Sequence, residues 1–317
     1  MATIEPTDVI GSRLSAALAG TYTIERELGG AGMSRVFEAR ETALDRRVVI
    51  KVVTADVGAG VSADRFRREI QVAATLRHPH IVPLLAAGEA AGILYYSMPL
   101  IDGESLQQRL ARTGPLPVSE VVHLAEEVAD ALDHAHRLGV IHRDIKPANI
   151  LLEDEHAIVA DFGIARAVSK ATEHEGHALT ITGLVLGTPL YMSPEQGGGD
   201  EVDGRTDIYA LGCVMYQMLA GKPPFEGTNA QQIILAHFVK EPPPIDRGDV
   251  PDALRDVVRQ AMAKDPEQRF ASAALMRNAL RSLDTRHLPS SPPAVNTTRS
   301  FRAVPTGPVS TSLTSGR

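Results

Sequence analysis

The stretch His142–Asn149, HRDIKPAN, limits what this chain can fold into more than any other. It follows a long amphipathic pattern, SEVVHLAEEVADALDHAHRLG (Ser119–Gly139), and runs directly into the strand-like ILL. Farther on, the short apolar run AIVA leads into Asp161–Gly163, DFG. A loop between helix and strand can point Asp144, Lys146 and Asn149 into one cleft. Asn149 and Asp161, at the ends of adjacent strands, then make a hard, oxygen-rich site. Mg²⁺ favours such a site, taking a few protein oxygens together with phosphate oxygens. Asp144 is left to accept a proton from an attacking hydroxyl.

The hydrophobic period changes twice around these loops. Residues 8–19 read as a short helix stopped by Gly20. Tyr22–Leu28 alternates like a strand, Val36–Arg40 reads as a second, and LGGAGMSRV between them forms a glycine-rich hairpin tip. VVIKVV (Val48–Val53) reads as a third strand, apolar on both faces except at Lys51. Residues 63–77 read as a helix with Phe66, Ile70, Ala73 and Ala74 on one face and Glu69 near it. HPHIVPLL and ILYYSMPLI give two more strand-like runs. Beyond Asp102-Gly103 the pattern turns helical. The Ser119–Gly139 helix has a stripe of Val121, Leu124, Ala125, Val128 and Leu132, with Gly139 just past its end. TDIYALGCVMYQMLAG is apolar nearly all round, as a buried helix would be, and two further helices are expected between Asn229 and Leu283. From about Asp284 the chain is rich in Ser, Thr and Pro and reads as disordered.

A length of 317 residues suits one bilobal domain or two small ones. The net charge of −7 argues against nucleic acid as a main partner. A single cysteine, Cys213, rules out a disulfide framework or a cysteine-based zinc site. The N-terminus carries early acids and makes a poor signal peptide. No apolar run approaches the roughly 18 residues of a membrane span, so the reading is cytoplasmic. No GxxxxGK[ST] occurs, which excludes a P-loop NTPase.

The ordered set LGGAGMSRV, VVIK, Glu69 in RFRREIQ, HRDIKPAN, DFG, GTPLYMSPE, TDIYALG and DPEQRF resembles the protein kinase superfamily, and within it the eukaryotic-like Ser/Thr kinases of bacteria. The resemblance runs along almost all of residues 20–283. It implies an α+β, bilobal protein-kinase fold. A short-helix extension would cover residues 1–20 and a kinase domain residues 21–283. Within the domain, a β-rich N-lobe with one main helix would occupy 21–101 and a mainly helical C-lobe 102–283, followed by a tail at 284–317. The implied activity is transfer of the ATP γ-phosphoryl group to Ser/Thr hydroxyls of proteins, with Mg²⁺, or Mn²⁺ in its place. A homodimer through the kinase domain is compatible with the family.

The resemblance also implies roles. Lys51 holds the α- and β-phosphates and pairs with Glu69. Asn149 and Asp161 bind the metal, Asp144 orients and deprotonates the hydroxyl, and Lys146 steadies the transferred group. Thr188 ties the substrate loop to the catalytic loop, Glu195 and Arg269 form a buried ion pair, and Asp207 braces the catalytic loop. Met98 is the gatekeeper, and the backbones of Pro99 and Ile101 face adenine between Val36, Val49 and Leu151. Val49 departs from the alanine usual in the family. Leu28, Gly29, Gly30, Ala31, Gly32, Met33, Ser34, Arg35 and Val36 form the phosphate cover. Fixing Val36 as the adenine-covering valine puts Gly29, Ala31 and Ser34 at the three glycine positions of GxGxxGxV, so the glycines are displaced. Arg143 points to control through the activation loop, with Thr180 and Thr182 as phosphorylation sites and Arg143, Arg166 and Arg65 as readers.

Plainer readings stand beside these. Lys51 as an edge-strand charge sits poorly with its apolar flanks. Glu69 could be one charge of a solvated helix. His142 reads as structural, His174 and His177 as part of a polar loop, and Cys213 as core. A pseudokinase-like nucleotide-binding scaffold is the rival function, and Lys51, Glu69, Asp144, Asn149 and Asp161 are all intact against it. A small-molecule phosphotransferase would lack the GTPLYMSPE loop that seats a polypeptide.

Overall fold

The structure, a computed structural model, describes residues 6–31, 34–53, 66, 70–162 and 189–283. Its first part is an antiparallel sheet of β1 (Tyr22–Ala31), β2 (Ser34–Glu41), β3 (Arg46–Val53), β4 (Ala86–Ala90) and β5 (Ile93–Pro99), in the order β1-β2-β3-β5-β4. The two faces of β3 explain its near-continuous apolar sequence. Val48, Ile50 and Val52 alternate to one side, where they pack with Phe37, Ile93 and the buried Leu14 and Leu18 of helix α1 (Pro6–Leu18). Val49 turns to the other side and joins Phe66, Ile70, Tyr96 and Met98. The sheet is thus packed on both faces, against α1 on one and against Phe66 and Ile70 on the other.

The segment HPHIVPLL is not a strand. Ile81 makes a single parallel bridge to Val159, and regular pairing starts only at Ala86. Pro79 and Pro83 lack the N–H groups that a ladder needs. The segment instead joins the two lobes, since Val82 N–H donates to the Val159 carbonyl and Val159 N–H to the His80 carbonyl.

The second part is mainly helical. A short strand, β6 (Glu104–Ser105), leads into α2 (Leu106–Thr113), which is opened by a capping box between Ser105 and Gln108. Helix α3 (Val118–Arg137) buries the expected stripe, with Val121, Leu124, Ala125, Val128 and Leu132 each at most 1% exposed. Strands β7 (Ile150–Glu153) and β8 (His156–Val159) form a hairpin that follows the loop after α3. Next come α4 (Pro194–Gly198) and α5 (Arg205–Ala220), the latter buried nearly all round. A Cβ on Gly212 would stand 2.9 Å from atoms of Ala261 and Met262, so glycine lets α5 approach its neighbour.

Three helices, not two, lie between Asn229 and Leu283: α6 (Ala230–Val239), α7 (Asp252–Ala261) and α8 (Ala273–Arg281). Each is about three turns long with its own start, namely Asn229 and Ser272 as side-chain caps and Pro251 before α7. Short helices separated by capped turns leave little periodicity to count. Among the described residues, no helix is long and apolar enough to cross a membrane.

Candidate active site

Asp207, in the first turn of α5 and fully buried, organises the loop that carries HRD. Its two carboxylate oxygens accept the backbone N–H groups of His142 at 2.8 Å and Arg143 at 2.7 Å, and His136 Nε2 lies 2.8 Å from one of them. Burial opposes ionisation of Asp207, but the His136 bond and the surrounding donors outweigh it and hold the carboxyl below its ordinary value. These bonds help hold Arg143 at a φ of 69°, a strained left-handed conformation for a residue with a side chain.

His142 is wholly buried and acts as a spacer between two loops. Its Nδ1 lies 3.2 Å from the Asp144 N–H and must accept from it. The proton therefore sits on Nε2, which donates to the Ala160 carbonyl at 2.8 Å. The ring also meets Phe162 edge-on at 4.7 Å. The position of Asp144 is in this way referred to that of Asp161.

Asp144 Oδ2 receives Lys146 Nζ at 2.7 Å and Asn149 Nδ2 at 3.0 Å, while the same amide nitrogen also reaches the Asp144 carbonyl at 2.8 Å. The Asp144 side chain stays 44% exposed, so the carboxylate is oriented but open to a partner. Asp161, at φ 67°, accepts Lys51 Nζ on one oxygen at 2.6 Å and the Tyr96 hydroxyl on the other at 2.7 Å. Burial works against its charge, and the Lys51 ammonium with the Tyr96 hydroxyl more than compensates, leaving the carboxyl below its ordinary range.

The expected pair of Lys51 with Glu69 lies outside the described residues, as do Gly32, Met33, Arg166, Thr180, Thr182 and Thr188. Of Gly30, Ala31 and Ser34 only the backbone is described, and it continues the β1–β2 ladder with Ala31 opposite Ser34. Leu28 is exposed, and Gly29 takes a φ of 139° that suits glycine. Arg35 reaches back across the hairpin to Glu27, with Nε to Oε1 at 2.8 Å, and lies over the Phe37 ring. The residues expected to line adenine do come together in space. Val49, Met98 and Ala160 form one buried cluster, with Val36, Ile101 and Leu151 packed against it. Pro99 ends β5 opposite Val48.

The donor set fits a divalent ion beside phosphate. With its amide nitrogen on Asp144, Asn149 turns its amide oxygen away from that carboxylate, and Asp161 supplies a carboxylate in the same cleft. Lys51 holds that carboxylate now, a cation occupying an anionic site.

Below the cleft, Glu195 and Arg269 pair bidentately at 2.7 and 2.8 Å. The other Arg269 donors go to the carbonyls of Ala263, Arg205 and Lys264, so all five N–H groups are used. Gln196 Nε2 donates to the Arg143 carbonyl at 2.8 Å and joins this segment to the HRD loop.

Residues 22–280 match the protein kinase domain family. The chain belongs to the protein kinase family. This kinase domain is 41% identical over 283 residues to serine/threonine-protein kinase PknB of Mycobacterium leprae and 39% identical over 278 residues to PrkC of Bacillus subtilis. The two alignments cover 87% and 86% of this chain but only 45% and 41% of those proteins, so the chain spans under half the length of the curated relatives it matches. The crystal structure of the PknI kinase domain of Mycobacterium tuberculosis superposes with a TM-score of 0.66 at 32% identity, covering 83% of this chain and 95% of that one.

Sequence reasoning missed Tyr96, His136 and Gln196. Nothing in the local sequence of Tyr96 marks it. Only the β3–β5 register, which sets it opposite Lys51, brings both side chains to Asp161.

Proposed function

We propose that this kinase domain is an active serine/threonine protein kinase that transfers the γ-phosphoryl group of ATP to protein hydroxyls. The observation that carries the reading is the Asp144 carboxylate, oriented by Lys146 and Asn149 yet open on one side. In this reading Asp144 takes the hydroxyl proton, Lys146 balances charge on the moving phosphoryl group, and Lys51 exchanges Asp161 for ATP phosphate. Mg²⁺, held by Asn149 and Asp161, would neutralise the β- and γ-phosphates when bound. The hydrophobic cluster of Val36, Val49, Met98 and Leu151 suits the two faces of adenine. A requirement for ATP would suit a cytoplasmic location, which is part of this reading.

The domain is proposed to phosphorylate its own activation loop at Thr180 and Thr182. Incubation with Mg-ATP followed by mass-spectrometric site mapping should find phosphate on one or both threonines. Nucleotide binding with no transfer, to itself or to generic protein substrates, would favour the scaffold instead.

Tyr96 is proposed as a positioning residue for Asp161. Tyr96→Phe keeps the ring and removes one donor to a charged acceptor, worth about 1.5 kcal/mol. We expect kcat/KM to fall about tenfold, the Mg²⁺ concentration for half-maximal rate to rise, and the melting temperature to drop by only a few degrees. Initial rates across a magnesium series check this.

A further inference from the structure

Away from the cleft, the buried carboxylate of Glu127 on α3 gathers histidines from three parts of the chain. Glu127 is 8% exposed, and its Oε2 accepts the Ala157 N–H at 2.7 Å, which fixes the group's direction. Its Oε1 faces His156 Nδ1 at 2.6 Å, His123 Nε2 at 3.4 Å and His80 Nε2 at 3.8 Å. His123 stands one helical turn before Glu127 on the same face of α3, His156 opens β8, and His80 belongs to the segment joining the lobes. The donor atoms of His123, Glu127 and His156 all lie within 4.8 Å of one another.

We propose that His123, Glu127 and His156 form a binding site for a divalent transition metal of the zinc class. Two imidazoles and one carboxylate are a ligand set zinc takes, with a fourth position left for another donor. At metal–ligand bonds of about 2.0–2.1 Å, ligand atoms in a tetrahedral site stand roughly 3.3 Å apart. The 2.6 and 3.4 Å separations at Glu127 bracket that value, so small side-chain rotations suffice.

His80 borders this cluster. Its Nδ1 lies 2.8 Å from the Ala157 carbonyl, which can only accept, so Nδ1 carries a proton, and its Nε2 faces Glu127 Oε1 at 3.8 Å. Since His123 stands on α3 and His156 on β8, an ion here would fasten α3 to the β7–β8 hairpin.

The test is calorimetric titration of tag-free protein with Zn²⁺, its active site saturated with Mg²⁺ and a non-hydrolysable ATP analogue, alongside melting curves. The parent should take up one Zn²⁺ per chain and melt at a higher temperature with it. His123→Ala, a half-exposed position whose loss does not endanger folding, should weaken uptake by more than about tenfold and abolish the thermal shift, with its metal-free melting unchanged. His156→Ala should do the same to uptake. No stoichiometric Zn²⁺ binding by the parent, or binding by both variants equal to the parent, overturns the proposal.

Discussion

Asp144→Asn is expected to slow phosphoryl transfer by roughly 10²–10⁴-fold while the protein keeps its fold and its affinity for ATP. An amide cannot take the hydroxyl proton, and Lys146 loses the negative partner that sets its direction at 2.7 Å. The geometry survives because the amide oxygen can still accept from Asn149. Stability should stay within about 0.5 kcal/mol, since the carboxylate is 44% exposed and its replacement strands no buried charge. Single-turnover rates with nucleotide-binding and melting controls decide the matter. A rate within a few-fold of the parent would remove Asp144 from the proposed chemistry.

Arg269→Ala should have the largest effect on stability, a loss of about 3–5 kcal/mol. The Arg269 side chain is fully buried, and cutting it back leaves Glu195 with Thr206 as a neutral partner and strips three carbonyls of a donor. The double variant Arg269→Met with Glu195→Met should be less damaged than either single change, because it leaves no buried charge behind. Acid provides a second reading of the same pair. In the parent, burial raises the Glu195 carboxyl, but Arg269 and Thr206 pull it below its ordinary 4.5. Its contribution is complete above pH 4.5 and is lost as pH falls through the lower, folded value. Without Arg269 the buried carboxyl titrates above its free value, so protonation relieves the variant. The stability gap between parent and Arg269→Ala should therefore narrow as pH drops toward 4. Denaturant melts at several pH values measure both trends.

The catalytic loop was legible because its chemistry is packed into eight consecutive residues, His142–Asn149, between two periodic segments. Asp207, Glu195 and Arg269 could be assigned through the family resemblance although Glu195 and Arg269 lie 74 residues apart. What escaped depends on contacts that sequence spacing does not encode. Tyr96 reaches Asp161 only through a strand register. HPHIVPLL has the apolar character of a strand but not the donors, owing to its two prolines. The short C-terminal helices carry too few turns for their period to show. Lys51 has Asp161 as a carboxylate partner that the resemblance did not name, while its expected pairing with Glu69 lies outside the described residues.

Helix α1 separates two definitions of this domain that are easily taken as one. The family match begins at residue 22, yet Leu14 is fully buried and Leu18 nearly so, eight and four residues upstream. They lie on Phe37 of β2 and on Val48, Ile50 and Val52, the back of the very strand that carries Lys51. Homology marks where the chemistry is shared. The cooperative unit that holds Lys51 in place starts earlier, and a chain trimmed to the shared boundary would leave an oily sheet face open to water and to other chains.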